Sequence, residues 1–171
     1  MSFLMRGLSQ RITWLLFFFL PMEAIAQEES AVRAAMIFNL LKFTNWPSSV
    51  SAQAPLRVCL NEASPAFKNA MTMLDERVVG SHILKITERI SNQTSGCEVI
   101  VTDAEKNAYD PAKLVRQGIL TIGDGHYIDR GGMIGIVKIG NRIRFEINAT
   151  TMQDAGVSVS SKVLQLAMRV L

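Results

Sequence analysis

The chain has 171 residues, 49% of them hydrophobic and 19% charged, with a net charge of +3. No concentrated basic face is written into it, which argues against a nucleic-acid partner. Its positive mean hydropathy is inflated by the first 20 residues and is not a membrane signature.

Arg6 and Arg11 supply a positive N-terminal region, Ile12 to Leu20 are apolar apart from Thr13, and Pro21 ends the run. Ala24-Ile25-Ala26 then gives the small-x-small pattern that signal peptidase accepts. The apolar core is only about nine residues long, whereas a membrane span needs about 20. Residues 1–26 therefore read as a cleavable signal peptide, and 27–171 as one exported domain of 145 residues. Cleavage removes Arg6, Arg11 and Glu23, lowering the net charge to +2.

The first expected element is a helix whose Val32, Met36, Leu40 and Phe43 recur at helical spacing, stopped by Asn45-Trp46-Pro47. Ile37 and Leu41 lie outside that stripe, so the helix needs cover on more than one side, from its own domain or from another chain. Leu56 to Leu60 reads as a buried strand. Ser64-Pro65 starts a helix running through Phe67, Met71 and Leu74 to near Asp75. His82 to Glu88 is a less regular strand, Ser91 to Gly96 a turn, and Cys97 to Thr102 a β-branched strand. Asp110-Pro111 starts another helix, with Gly118 as its stop, before the strand Ile119 to Ile122.

Met133 to Ile139 and Arg142 to Asn148 flank Gly140-Asn141, a hairpin of the II′ or I′ kind. Its second strand alternates Ile143, Phe145 and Ile147 toward a core, with Arg142, Arg144 and Glu146 toward solvent. A short helix over Thr151 to Ala155 and a last one from Ser160 or Ser161 through Met168 complete the chain. The sum is a single layered α/β domain: a mixed, mostly parallel sheet flanked by helices, with a C-terminal β-hairpin and helix.

In an oxidising compartment Cys59 and Cys97 most simply form a disulfide closing a 39-residue loop; the other reading is two buried free thiols. No catalytic constellation emerges. Gly156-Val157-Ser158-Val159-Ser160 lacks the second glycine of a nucleophile elbow, so Ser158 reads as a loop hydroxyl. His82 and His126 are far apart, and no metal-ligand set is visible. Gly123-x-Gly125 leaves a strand but meets no helix that could receive a phosphate. Asp103 and Glu105 follow a strand end without an evident partner, and Asn92-Gln93-Thr94 and Asn148-Ala149-Thr150 are chance-level glycosylation matches. The candidates that remain are a partner surface at Ile37, Leu41 and Trp46, and a ligand loop carrying Asp124, His126 and Arg130.

Taken in order, several segments resemble the YfiR-like family of exported bacterial proteins. They are Phe38-Asn39-Leu40-Leu41-Lys42-Phe43-Thr44-Asn45-Trp46-Pro47, Leu56-Arg57-Val58-Cys59, Cys97-Glu98-Val99-Ile100-Val101 and Ile119-Leu120-Thr121-Ile122-Gly123-Asp124. Gly131-Gly132-Met133-Ile134, Arg142-Ile143-Arg144-Phe145-Glu146-Ile147-Asn148 and Val157-Ser158-Val159-Ser160-Ser161-Lys162-Val163-Leu164 complete the series. The resemblance implies a periplasmic, non-enzymatic α/β domain without a cofactor, occupying residues 27–171. It implies restraint of an inner-membrane diguanylate cyclase through its periplasmic region, and hence control of cyclic di-GMP and biofilm formation. It further implies relief by an outer-membrane lipoprotein and homodimerisation, and since Cys59 and Cys97 match the family's cysteine positions it implies a structural bridge between them. A second cysteine pair found in some members near the glycine-rich loop is absent here. The rival reading is a periplasmic small-ligand sensor with its mouth at Gly123 to Gly132; an enzyme ranks third.

Overall fold

The computed structural model describes residues 22–89, 95–103 and 110–171. Asn92-Gln93-Thr94, Glu105 and all but the last residues of the expected signal peptide lie outside them. The chain starts with helix α1, Met22–Lys42. Among the described side chains Ala26, Gln27 and Glu28 are exposed and the first buried one is Ser30, so a cut after Ala26 removes none of the described core.

Strand β1 (Thr44–Asn45) is followed by β2 (Leu56–Asn61), helix α2 (Pro65–Thr72) and strands β3 (Val78–Val79), β4 (His82–Arg89) and β5 (Val99–Thr102). Helix α3 (Pro111–Arg116) leads to β6 (Leu120–Asp124) and a 3₁₀ turn, Tyr127–Arg130. The hairpin β7 (Ile134–Ile139) and β8 (Arg142–Ile147) precedes α4 (Ala149–Asp154), β9 (Ser158–Val159), α5 (Ser161–Leu166) and β10 (Arg169–Val170). Eight of these strands form one sheet in the order β10-β8-β7-β6-β5-β2-β4-β3, while β1 and β9 pair separately. The central pairs β7–β6, β6–β5, β5–β2 and β2–β4 are parallel; β7–β8 and β4–β3 are antiparallel.

Local chemistry accounts for most boundaries. The Asp110 carboxylate accepts from the Ala112 N–H at 3.0 Å and Pro111 fixes the first helical φ of α3. Asn148 does the same for α4, through the Thr151 N–H at 2.9 Å. In the hairpin only Gly140 carries a positive φ (58°), the II′ arrangement, and Ile139 faces Arg142 across it.

Because strand side chains alternate, Leu56, Val58 and Leu60 join the larger core with Ile37, Leu41, Phe67 and Met71 of α1 and α2. Cys59 and Ile100 point the other way, into a smaller cluster with Cys97, Leu114 and Ile119 under α3. There Cys59 and Cys97 are bonded, with Cα atoms 5.9 Å apart.

Several expectations are corrected. Helix α2 stops at Thr72, three residues short of Asp75, whose carboxylate is engaged with the Ile86 N–H at 2.7 Å. The last helix ends at Leu166, and Arg169–Val170 instead pairs in parallel with Glu146 and Ile147. That pairing covers the outer edge of β8, so Glu146, expected in solvent, is 1% exposed. β1, β3 and β9, two residues each, carry no pattern long enough to read.

Candidate functional site

The sheet reverses its winding between β2 and β5: β2 leads through α2 to β4 on one side, β5 through α3 to β6 on the other. The crevice beyond these strand ends is where α/β sheets receive ligands. Here the protein's own Asp103 occupies it. Its carboxylate accepts from the Ser64 N–H (3.1 Å) and hydroxyl (2.6 Å) at the start of α2, and is ion-paired with Arg33 of α1. Arg33, 9% exposed, also reaches Asp124 at 3.4 Å and lies 4.9 Å from the Phe67 ring centroid. Asp103 therefore has the partner that its sequence context did not show. Arg33 was missed altogether, although it sits on the same face as Ile37 and Leu41, four and eight residues on.

The glycine-rich loop is likewise filled from within. Tyr127 is 1% exposed, and a Cβ at Gly123 or at Gly132 would overlap its ring. These glycines make room for an aromatic side chain, not for a phosphate. Burial pushes the Tyr127 phenol up, against the smaller opposing effects of its hydrogen bond to Thr121 and the Arg130 charge. Arg130 stacks over that ring, with 5.8 Å to the centroid.

The expected ligand loop does not converge. Asp124 belongs to the Arg33 cluster and Arg130 to Tyr127, while His126 turns to a third group. His126 Nδ1 lies 3.6 Å from buried Glu146 and 4.0 Å from Asp129. Arg169 joins the same two carboxylates at 2.8 and 2.9 Å. Its hydrogen bonds to Asp129 and Glu146 push its own pKa further up, and its bond to Asp129 holds that carboxyl below the usual range. The cluster clamps β10 onto β8. Among the described residues no group of three His, Cys, Asp or Glu side chains is placed to hold a metal ion.

Two of the three residues expected at a partner surface lie inside. Ile37 and Leu41 are each 1% exposed, packed into the core against the sheet. Trp46 is half-buried against that core, edge-on to His82 at 6.5 Å. The opposite face of α1 is the open one: Val32 is 47% and Phe43 49% exposed. With Met36, Phe145, Val163 and Leu166 they line an apolar groove of about 510 Å³ between α1 and α5. Leu166, on its far wall, is 71% exposed. The sequence carried this signal in the Val32/Met36/Leu40/Phe43 stripe, but which stripe meets the sheet is decided by packing.

Among the described residues, then, this is a small α/β domain whose strand-end crevice and glycine loop are filled from within and whose groove between α1 and α5 is open. The YfiR/HmsC-like family model matches residues 30–168, and the chain belongs to that family. Its members are periplasmic and regulatory rather than catalytic. No curated protein sequence is significantly similar to the chain. No helix among the described residues is long and apolar enough to cross a membrane.

Proposed function

We propose that the protein is exported by its N-terminal signal peptide and, in the periplasm, binds and restrains a membrane diguanylate cyclase. In this reading it holds down cyclic di-GMP and biofilm formation, and an outer-membrane lipoprotein can capture it. One observation carries the reading beyond family membership. The two places where an α/β fold usually holds a ligand are filled by Asp103 and Tyr127, whereas large apolar side chains stand open along α1 and α5. An exposed apolar patch of this kind marks a contact surface, and the partner's periplasmic region is its natural occupant.

The test is genetic and biochemical together. Deleting the gene should raise cyclic di-GMP, and re-expression should lower it. Re-expression of Val32→Arg or Phe43→Arg should fail to lower it although the variant protein accumulates folded. Unchanged cyclic di-GMP after deletion, in cells expressing the cognate cyclase, sinks the regulatory reading; full complementation by both variants sinks the surface.

A further inference from the structure

We propose that the groove between α1 and α5 is a binding site for an amphipathic monocarboxylate, an aliphatic chain ending in a carboxylate. This deepens the partner reading by giving the same face a small competitor, and in that respect it rests on that reading.

The groove has the size and chemistry of a ligand site. Its volume of about 510 Å³ lies inside the range of about 300–1,000 Å³ typical of small-molecule pockets. Val32, Met36 and Leu40 of α1 form one wall, Val163 and Leu166 of α5 the other, and Phe145 of β8 adds to the lining. An aliphatic chain laid there is favoured by the apolar area it covers, with no backbone polar group to satisfy along it.

The polar groups on the lining are few and select one charge. Among the described residues no carboxylate lines the groove, and the one charged residue lining it is Lys162, in the first turn of α5. The ion pairs of the described residues do not engage this lysine. Two residues before it, Ser160 also lines the groove; its hydroxyl caps nothing and is buried without a hydrogen-bond partner. A buried hydroxyl left unsatisfied is destabilising, and rotation about its single side-chain bond offers it to an oxygen arriving beside Lys162. Asn39 of α1 also lines the groove and brings a side-chain amide. A head group that accepts from an ammonium and a hydroxyl together is a carboxylate. A cationic amphiphile would meet Lys162 with nothing to balance it.

Decanoate is the probe and uncharged decanol its control, titrated into protein purified from the periplasm after expression of the full chain. Isothermal titration should give saturable binding of decanoate. Lys162→Met should weaken decanoate about fivefold, as expected of one exposed ion pair, and leave decanol unchanged. Ala35→Trp, placed on the exposed groove lining where the core is untouched, should abolish both. No saturable binding overturns the proposal, and so does binding that Ala35→Trp leaves intact or an equal loss of both probes in Lys162→Met. A groove already covered by a second copy in sedimentation, or one that takes an apolar helical peptide but not decanoate, overturns it too. Because no cyclase is present, failure here leaves the partner reading standing, and failure of the partner reading leaves this titration interpretable.

Discussion

Breaking the Cys59–Cys97 bridge should lower stability by about 4 kcal/mol, almost all of it through the unfolded chain. The two residues are 38 apart in sequence, and in the chain-entropy model a closed loop of that size is worth about 4 kcal/mol at 25 °C. For a domain of this size that corresponds to a fall in Tm of roughly 10 °C. The native neighbourhood should persist without the bond. β2 and β5 stay in register from Val58 and Val99 onward, and Arg57 grips Glu98 through its backbone N–H (2.8 Å) and two guanidinium contacts. Both cysteines are nearly inaccessible, 2% and 6% exposed, so reductant reaches them only as the structure opens. Cys59→Ala/Cys97→Ala also removes two sulfurs from the cluster with Ile100, Leu114 and Ile119, which adds about 1 kcal/mol. Urea unfolding followed by circular dichroism, on oxidised protein, fully reduced protein and the double variant, separates these contributions. Reduced protein and variant should both show a lower midpoint and a steeper denaturant dependence, because the unlinked chain exposes more surface. Superimposable oxidised and reduced curves would refute the reasoning.

Gly132→Ala should cost about 1–3 kcal/mol in thermal unfolding, the range for overpacking, because its Cβ overlaps the Tyr127 ring. Adding Tyr127→Leu should return part of that loss, and strictly additive effects would refute the clash. Arg169→Leu leaves Glu146 buried without its arginine, so hydrogen exchange should speed up across 161–171 while the central strands stay protected; uniform protection refutes the clamp. Asp75 is held below the usual carboxylate range first by the Ile86 N–H and then by Lys85. Its folded pKa is thus lower than its unfolded value of about 3.9, so its contribution is complete above that pH and disappears as pH falls through the lower folded value. Asp75→Asn should accordingly lose stability at neutral pH and show a shallower acid transition; an unchanged acid limb refutes the assignment.

What the sequence determined by itself is whatever a few adjacent residues decide. The apolar run Leu56 to Leu60, the Ser64-Pro65 and Asp110-Pro111 helix starts and the Gly140-Asn141 hairpin all carry their own geometry, and each is found where its pattern lies. The bridge was legible too, from two cysteines read together with the expected export signal. Only the tertiary structure decided what depends on groups brought together from afar. Arg33 meets Asp103 across 70 residues, and Arg169 buries Glu146 from 23 residues away. Tyr127 makes the glycine-rich loop part of the packing. Helix α1 shows the division most clearly. Its sequence displays the Val32/Met36/Leu40/Phe43 stripe with Ile37 and Leu41 outside it, and periodicity alone does not decide which of them meet the sheet. The core takes in Ile37, Leu41 and, from the stripe, Leu40, and so leaves Val32 and Phe43 exposed.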